Sequence, residues 1–130
     1  MKILLVDDSD LYRDGMRHVL SKLDDRVDIL EAANFPDALS AARDNPDFDL
    51  VLLDLNMPGS AGAPSVALFH EIYPNMPVVV ISGTDKIGDI ENVLINGAKS
   101  FISKMTNGSD MVQALQLVLA GGAFLPTQLL

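Results

Sequence analysis

Five short apolar runs, separated by stretches with helical spacing, recur at regular intervals along this 130-residue chain. The first, third and fourth runs are apolar without alternation, which is typical of a strand whose sheet is covered on both faces. The runs are Ile3–Val6, Val27–Leu30, Leu50–Leu53, Val78–Ile81 and Ser100–Ile102. Between them, apolar residues recur three and four positions apart, as on one face of a helix. Strand and helix are therefore expected to alternate five times.

This alternation predicts an α/β fold with a parallel sheet, helices on both of its faces and right-handed crossovers. We expect the doubly wound (βα)5 arrangement, a flavodoxin-like three-layer sandwich with strand order 2-1-3-4-5. Helix boundaries carry matching signals. Asn34 and Pro36 suit the start of the second helix, and Pro64 suits the start of the third. Gly97 is placed to end the fourth helix and Ser109 to cap the fifth.

Composition excludes several classes of protein. The chain has no cysteine, which excludes a disulfide scaffold, a thiolate metal site and a cysteine nucleophile. No apolar run approaches the ~20 residues of a membrane-spanning helix, and the N terminus reaches Asp7 and Asp8 without a signal-peptide core. The formal net charge of −9 repels nucleic-acid phosphates. We therefore expect neither membrane insertion nor binding of nucleic acid by this chain itself.

Polar side chains follow four of the five predicted strands. Asp7 and Asp8 follow the first, Asp54 ends the third, Ser82 ends the fourth and Lys104 follows the fifth. Ligands of such sheets bind outside the carboxyl ends of the strands. Three carboxylates held together repel one another, and with oxygen ligands alone Mg²⁺ is the cation that best relieves the repulsion. Asp54, at the tip of the central strand, is the best-placed nucleophile for phosphoryl transfer.

The stretches that contain these residues resemble the receiver (CheY-like) domain of two-component response regulators. They read ILLVDD (3–8), LVLLDLNMPG (50–59), VVISG (79–83) and NGAKSFISK (96–104), and the similarity covers the chain from Lys2 to about Leu125. Two further stretches, LYRDGM (11–16) and LAGGAFL (119–125), are similar to the NarL/FixJ subfamily. Members of that subfamily usually carry a LuxR-type helix-turn-helix after the receiver.

The resemblance implies a role for each candidate site residue. Asp54 would accept a phosphoryl group, and Mg²⁺ would be bound by Asp8, Asp54 and the Asn56 backbone carbonyl, with Asp7 completing an acidic pair through water. Mn²⁺ or Ca²⁺ could substitute for Mg²⁺. The implied phosphoryl-binding and switch residues are Ser82, Gly83, Lys104 and Phe101. Asn56 and Thr84 would tune hydrolysis of the phosphoryl group. From the residues alone, Phe101 would be a plain core aromatic on the last strand.

The implied function is a phosphorylation switch. A sensor histidine kinase would donate to Asp54, and the switch would control a LuxR-type DNA-binding output domain outside this chain. The chain would then be no enzyme beyond Mg²⁺-assisted self-phosphorylation and self-dephosphorylation, and its location would be cytoplasmic. We expect the receiver domain over residues 1–125 and the start of a linker to the absent output domain over 126–130.

Several alternatives stay open from the residues themselves. A stand-alone receiver or a pseudo-receiver would serve only as a protein-binding module. A Mg²⁺-dependent phosphatase of the haloacid-dehalogenase type also uses an aspartyl nucleophile after a strand, but it needs a second Asp two positions later, where this chain has Asn56. A homodimer could form through the first and fifth helices, or through the face made by the fourth helix, fifth strand and fifth helix. Met105 stands where many receivers have a cis proline, which leaves the geometry of the Lys104–Met105 bond undecided.

Overall fold

The computed structural model describes residues 1–83 and 86–122, and over these ranges five strands and five helices alternate. The elements are β1 (Lys2–Val6), α1 (Asp10–Leu20), β2 (Asp28–Ala32), α2 (Phe35–Asp44), β3 (Leu50–Asp54), α3 (Ala63–Ile72), β4 (Val78–Ser82), α4 (Ile87–Ile95), β5 (Ser100–Ser103) and α5 (Gly108–Leu119). All strand pairs are parallel, in the order β2-β1-β3-β4-β5. The predicted doubly wound fold and its strand order are confirmed.

The sheet separates two apolar layers, because successive side chains of a strand point to opposite faces. Leu4 and Val51 belong to the layer covered by α2, α3 and α4. Leu5 and Leu52 belong to the layer covered by α1 and α5. Every residue of β3 is buried, since this strand lies between β1 and β4 and both of its faces are covered by these apolar layers. The continuous apolar run in the sequence therefore has a direct structural cause.

Helix starts agree with the sequence signals in two cases and differ in one. The Asn34 side chain caps α2 by accepting a hydrogen bond from the Asp37 backbone N–H at 2.8 Å. Pro64 lies in the first turn of α3, as expected. At α5 the expectation was wrong, because the N-cap is Asn107 and Ser109 already lies inside the helix. The Asn107 Oδ1 atom accepts from the Asp110 N–H at 2.9 Å, the reach that an N-cap side chain needs.

The second strand also differs from the expectation, because it covers Asp28–Ala32 and not Val27–Leu30. It is an edge strand, and its pairing with β1 continues until Val6 faces Ala32. Backbone pairing, not the apolar run, sets its end. The fourth helix ends as predicted, with Gly97 just beyond it at a φ of 110°.

No helix within residues 1–83 and 86–122 is long and apolar enough to cross a membrane. Thr84, the end of the 119–125 stretch and the predicted linker at 126–130 lie outside the described residues.

Candidate functional site

Three carboxylates meet at the carboxyl edge of the sheet. Val6 faces Leu53 in the pairing of β1 with β3, so Asp7 leaves β1 beside Asp54 at the end of β3. Asp7 is 2% and Asp54 4% exposed, whereas the adjacent Asp8 is exposed. Carboxylate oxygens of these three residues lie within 4.8 Å of one another. The structure thus brings together the acidic residues that the sequence placed at one edge.

We call Asp7, Asp8 and Asp54 the acidic cluster. Lys104 places a cation beside it. Its Nζ atom lies 2.7 Å from Asp7 Oδ2 and 3.2 Å from Asp54 Oδ2. Its backbone N–H donates to the Ser82 carbonyl oxygen at 2.9 Å, which joins the loop after β5 to the end of β4. Among the described residues, the ammonium contacts two of the three clustered carboxylates, so this cluster keeps an excess of negative charge.

Burial and the neighbouring charges shift the pKa values of Asp54 and Lys104. Burial raises the pKa of Asp54 and the Asp7 charge adds to the rise, against the opposing effects of the Asn56 backbone N–H and the Lys104 ammonium. Burial lowers the pKa of Lys104, but its hydrogen bond to Asp7 and the charges of Asp54 and Asp7 outweigh burial and leave it raised. Lys104 is therefore protonated at neutral pH, while the Asp54 anion is disfavoured and would gain from a further cation.

The donor set fits a hard divalent cation. Among the described residues, the acidic cluster consists of carboxylates alone, and oxygen-only sites favour Mg²⁺ over softer metals. Asp8 is exposed, so a cation can reach the cluster from solvent. The Asn56 backbone N–H donates to Asp54 Oδ1 at 3.1 Å, which restrains the carboxylate and places the loop that carries the Asn56 carbonyl next to it.

The remaining predicted residues lie around the ends of β4 and β5. Ser82 is fully buried at the end of β4, and the adjacent Gly83 is exposed with open space where a Cβ would lie. Phe101 is 1% exposed, and it packs in the same apolar layer as Ile90 and Val93 of α4. Phe101 is therefore a buried aromatic of the core, and its role as a switch residue stays a prediction. The Lys104–Met105 peptide bond is trans.

Two residues of α1 join the site, although no sequence pattern assigned them to it. The Tyr12 ring centroid lies 4.5 Å from Lys104 Nζ. Arg13 donates from Nη1 to the Asp7 carbonyl oxygen and from Nε to Glu31 Oε1 at 2.8 Å, so it anchors the backbone of the acidic cluster. Both residues lie on α1, and only the tertiary structure shows that this helix meets the loop after β5.

The response regulator receiver domain model matches residues 3–116 of the chain. The chain belongs to this family. Members of the family bind Mg²⁺ in their acidic pocket, work with a histidine kinase and are in general not enzymes. The predicted resemblance is thereby confirmed: the chain is a receiver domain of a two-component response regulator, with relatives among the NarL- and LuxR-type regulators.

Three relatives illustrate this similarity. The glycerol metabolism activator of Pseudomonas putida is 33% identical over 129 residues, which cover 99% of this receiver domain chain and 58% of that protein. The nitrate/nitrite response regulator NarL of Escherichia coli K12 is 33% identical over 119 residues, covering 92% and 55%. The crystal structure of a LuxR family DNA-binding response regulator from Silicibacter pomeroyi superposes with a TM-score of 0.86 at 28% identity, covering 98% of each chain. The chain thus spans less than two thirds of the length of its curated relatives.

Proposed function

We propose that this receiver domain is a phosphorylation switch in which a sensor histidine kinase transfers a phosphoryl group to Asp54. The observation that carries the proposal is the contact of Lys104 with both Asp7 and Asp54 at the edge of the acidic cluster. A buried nucleophilic carboxylate, an ammonium beside it and a set of oxygen ligands are the parts that phosphoryl transfer needs.

In the transfer, an Asp54 carboxylate oxygen attacks phosphorus, and the P–N bond of the donor phosphohistidine breaks with its electron pair returning to the imidazole. The Asn56 N–H restrains Asp54 Oδ1, so the carboxylate is held in one orientation for attack. Lys104 already contacts Asp54 Oδ2 at 3.2 Å, and it needs only a small movement to reach the incoming phosphoryl oxygens. Mg²⁺, held by Asp8, Asp54 and the Asn56 carbonyl with Asp7 through water, would neutralise charge on the transferred group, and Mn²⁺ or Ca²⁺ could substitute for it.

The switch itself runs through the end of β4. We propose that the phosphoryl group draws the Ser82 hydroxyl toward it, while Gly83 leaves room for the phosphoryl oxygens. Ser82 is linked through its carbonyl to the Lys104 backbone, and Phe101 lies in the layer that α4 covers. A displacement at Ser82 can therefore shift the packing of Phe101 and the face made by α4, β5 and α5, which is a population shift biased by a local charge.

Water then resets the switch by hydrolysing the aspartyl phosphate. We propose that Asn56 and Thr84 tune this rate, since Asn56 is exposed directly beside Asp54. Replacing both residues should change the hydrolysis rate, and an unchanged rate would remove the tuning role. Because an amide cannot transfer a proton, Asn56 also gives no support to the phosphatase alternative.

For the full-length protein we propose a receiver over residues 1–125, a linker beginning at 126–130 and a LuxR-type DNA-binding output domain beyond it, acting in the cytoplasm. The support is the partial coverage of the curated relatives and the LuxR-family solved structure. Homodimerisation is proposed through α1 and α5, where Leu11 is 84% exposed, or through α4, β5 and α5, where Ile95 is 82% exposed. Sedimentation with and without a phosphoryl analogue tests both surfaces.

The central experiment is the intact mass after incubation with acetyl phosphate and Mg²⁺. We expect a gain of one phosphoryl group, lost with chelator and with Asp54→Asn. Asp44→Asn is the matched control, because Asp44 is exposed and pairs with Arg43 far from the site. No gain in mass together with no binding of beryllofluoride would instead indicate a pseudo-receiver that only binds proteins.

A further inference from the structure

Tyr12 covers a face of Lys104 that the carboxylates leave open. The ammonium contacts Asp7 Oδ2 and Asp54 Oδ2, and the Tyr12 ring centroid is 4.5 Å from the same Nζ atom. Both side chains also line a groove of about 460 Å³ between α1 and the start of α5. The ring and the ammonium thus lie together in the lining of this groove.

An aromatic face attracts an ammonium, and the attraction strengthens where water is excluded. Lysine carries its charge on a flexible stem, so two carboxylates alone do not fix which oxygen the ammonium approaches. The Lys104 side chain is only 24% exposed, so its contact with the ring is partly desolvated. For comparison, Lys2 lies 5.5 Å from the Phe48 ring at the opposite edge of the sheet, away from the acidic cluster.

The Tyr12 hydroxyl does not contribute to this contact through hydrogen bonding. Its oxygen is buried and makes no hydrogen bond to any residue in 1–83 or 86–122. Burial, reinforced by the charges of Asp7 and Asp54, raises the pKa of Tyr12 to about 12, so the ring stays neutral. The part of the side chain that acts on Lys104 is therefore the aromatic face, which phenylalanine also provides.

We propose that Tyr12 is a positioning residue for phosphoryl transfer: its ring holds the Lys104 ammonium beside Asp54, ready to pass to the transferred phosphoryl oxygens. This inference rests on the proposed function of Asp54 as phosphoacceptor. A merely structural role for Tyr12 would instead produce effects that are independent of Lys104 and unrelated to aromaticity.

The kinetic test measures the rate of Asp54 phosphorylation by acetyl phosphate at saturating Mg²⁺. Tyr12→Leu should slow the reaction roughly three- to twentyfold, the range expected from loss of one cation–π contact. Tyr12→Phe should recover the wild-type rate to within about twofold. Tyr73→Leu is the matched control, because Tyr73 is equally half-buried but packs on Phe69 after α3. Equal rates for Tyr12→Leu and wild type would overturn the inference.

A second measurement follows Lys104 directly. The ring should shift the Lys104 ε-methylene proton resonances upfield, and the shift should vanish in Tyr12→Leu and persist in Tyr12→Phe. Mg²⁺ affinity should stay within about twofold in both variants, because the ring faces the Lys104 ammonium and the substitutions leave all three carboxylates of the acidic cluster in place. An upfield shift that survives in Tyr12→Leu would overturn the inference. If the wild-type protein accepts no phosphoryl group, the proposed function is refuted as well. If only the Tyr12→Leu rate is unchanged from wild type, the role of Tyr12 alone is refuted.

Discussion

Replacing Lys104 by methionine is expected to destabilise the folded protein, and Mg²⁺ should offset part of the loss. The substitution keeps the length of the side chain but removes the charge that faces Asp7 and Asp54. Both carboxylates are almost fully buried, so they lose their cation without gaining access to water. The acidic cluster then becomes more negative and should bind a divalent cation more tightly.

The magnitude follows from the burial of the partners. Removing one member of a buried ion pair costs about 3–5 kcal/mol, because an uncompensated charge stays in the interior. The Lys104 side chain is 24% exposed and Asp8 is exposed, so water screens part of the charge. We therefore expect a loss of about 2–3 kcal/mol in the free energy of unfolding, below the fully buried range. Each tenfold gain in Mg²⁺ affinity should reduce the difference from wild type by about 1.4 kcal/mol.

The assay is urea denaturation of wild type and Lys104→Met, each with chelator and with saturating Mg²⁺. Lys99→Met serves as the control, because Lys99 is an exposed lysine just before β5. The difference between wild type and Lys104→Met should be large with chelator and smaller with Mg²⁺, while Lys99→Met stays within about 0.5 kcal/mol throughout. A Lys104→Met protein as stable as wild type in chelator would refute the reasoning that this lysine compensates buried charge.

Three further predictions concern single positions. Asp54→Asn should stabilise the metal-free protein at neutral pH, because the raised pKa of Asp54 means that the folded state disfavours its anion. In thermal unfolding, this gain in stability should shrink as the pH falls through the raised pKa and vanish below the ordinary pKa of 3.8. Asn107→Ala should cost about 1 kcal/mol in chemical denaturation and Ser109→Ala less than half of that, since Asn107 caps α5; the reverse order would restore Ser109 as the cap. Gly97→Ala should destabilise by about 1–3 kcal/mol, because φ is 110° and a Cβ would lie 2.6 Å from His70 Cγ. His70→Ala in the same background should relieve only the clash with the imidazole ring, because His70 Cβ stays 2.9 Å away, and it should leave the backbone strain; full recovery of stability would contradict the role of φ.

Much of the fold can be predicted from the sequence, because a parallel strand that is covered on both faces needs apolar residues at successive positions. The run Leu50–Leu53 predicts the central strand closely, since both of its faces are covered. The edge strand β2 is less predictable, because its bounds at Asp28–Ala32 are set by pairing with β1 and its side chains are only partly buried. For the cap of α5, both Asn107 and Ser109 are good candidates, and only the path of the chain decides between them.

The acidic cluster could be predicted for a similar reason. Its members follow strand ends, and parallel topology forces those ends together. Tyr12 and Arg13 were missed, because their roles depend on how α1 packs against the loop after β5 and against β2. For Phe101, burial in the core is visible from the residues, whereas a role in switching requires two conformations and cannot be derived from one pattern of apolar positions.

The backbone that carries the site residues continues the hydrogen bonding of the sheet. The site therefore stays in place for as long as the sheet is folded. The Lys104 N–H bonds to the Ser82 carbonyl, the Asp7 N–H bonds to the Ala32 carbonyl at 3.0 Å, and Asp54 is itself part of β3. Amide hydrogens held in this way exchange with solvent only when the strands separate. On heating, Asp7, Asp54 and Lys104 should therefore keep their arrangement until the cooperative melting of the sheet, so competence for phosphorylation and native structure should disappear at the same temperature.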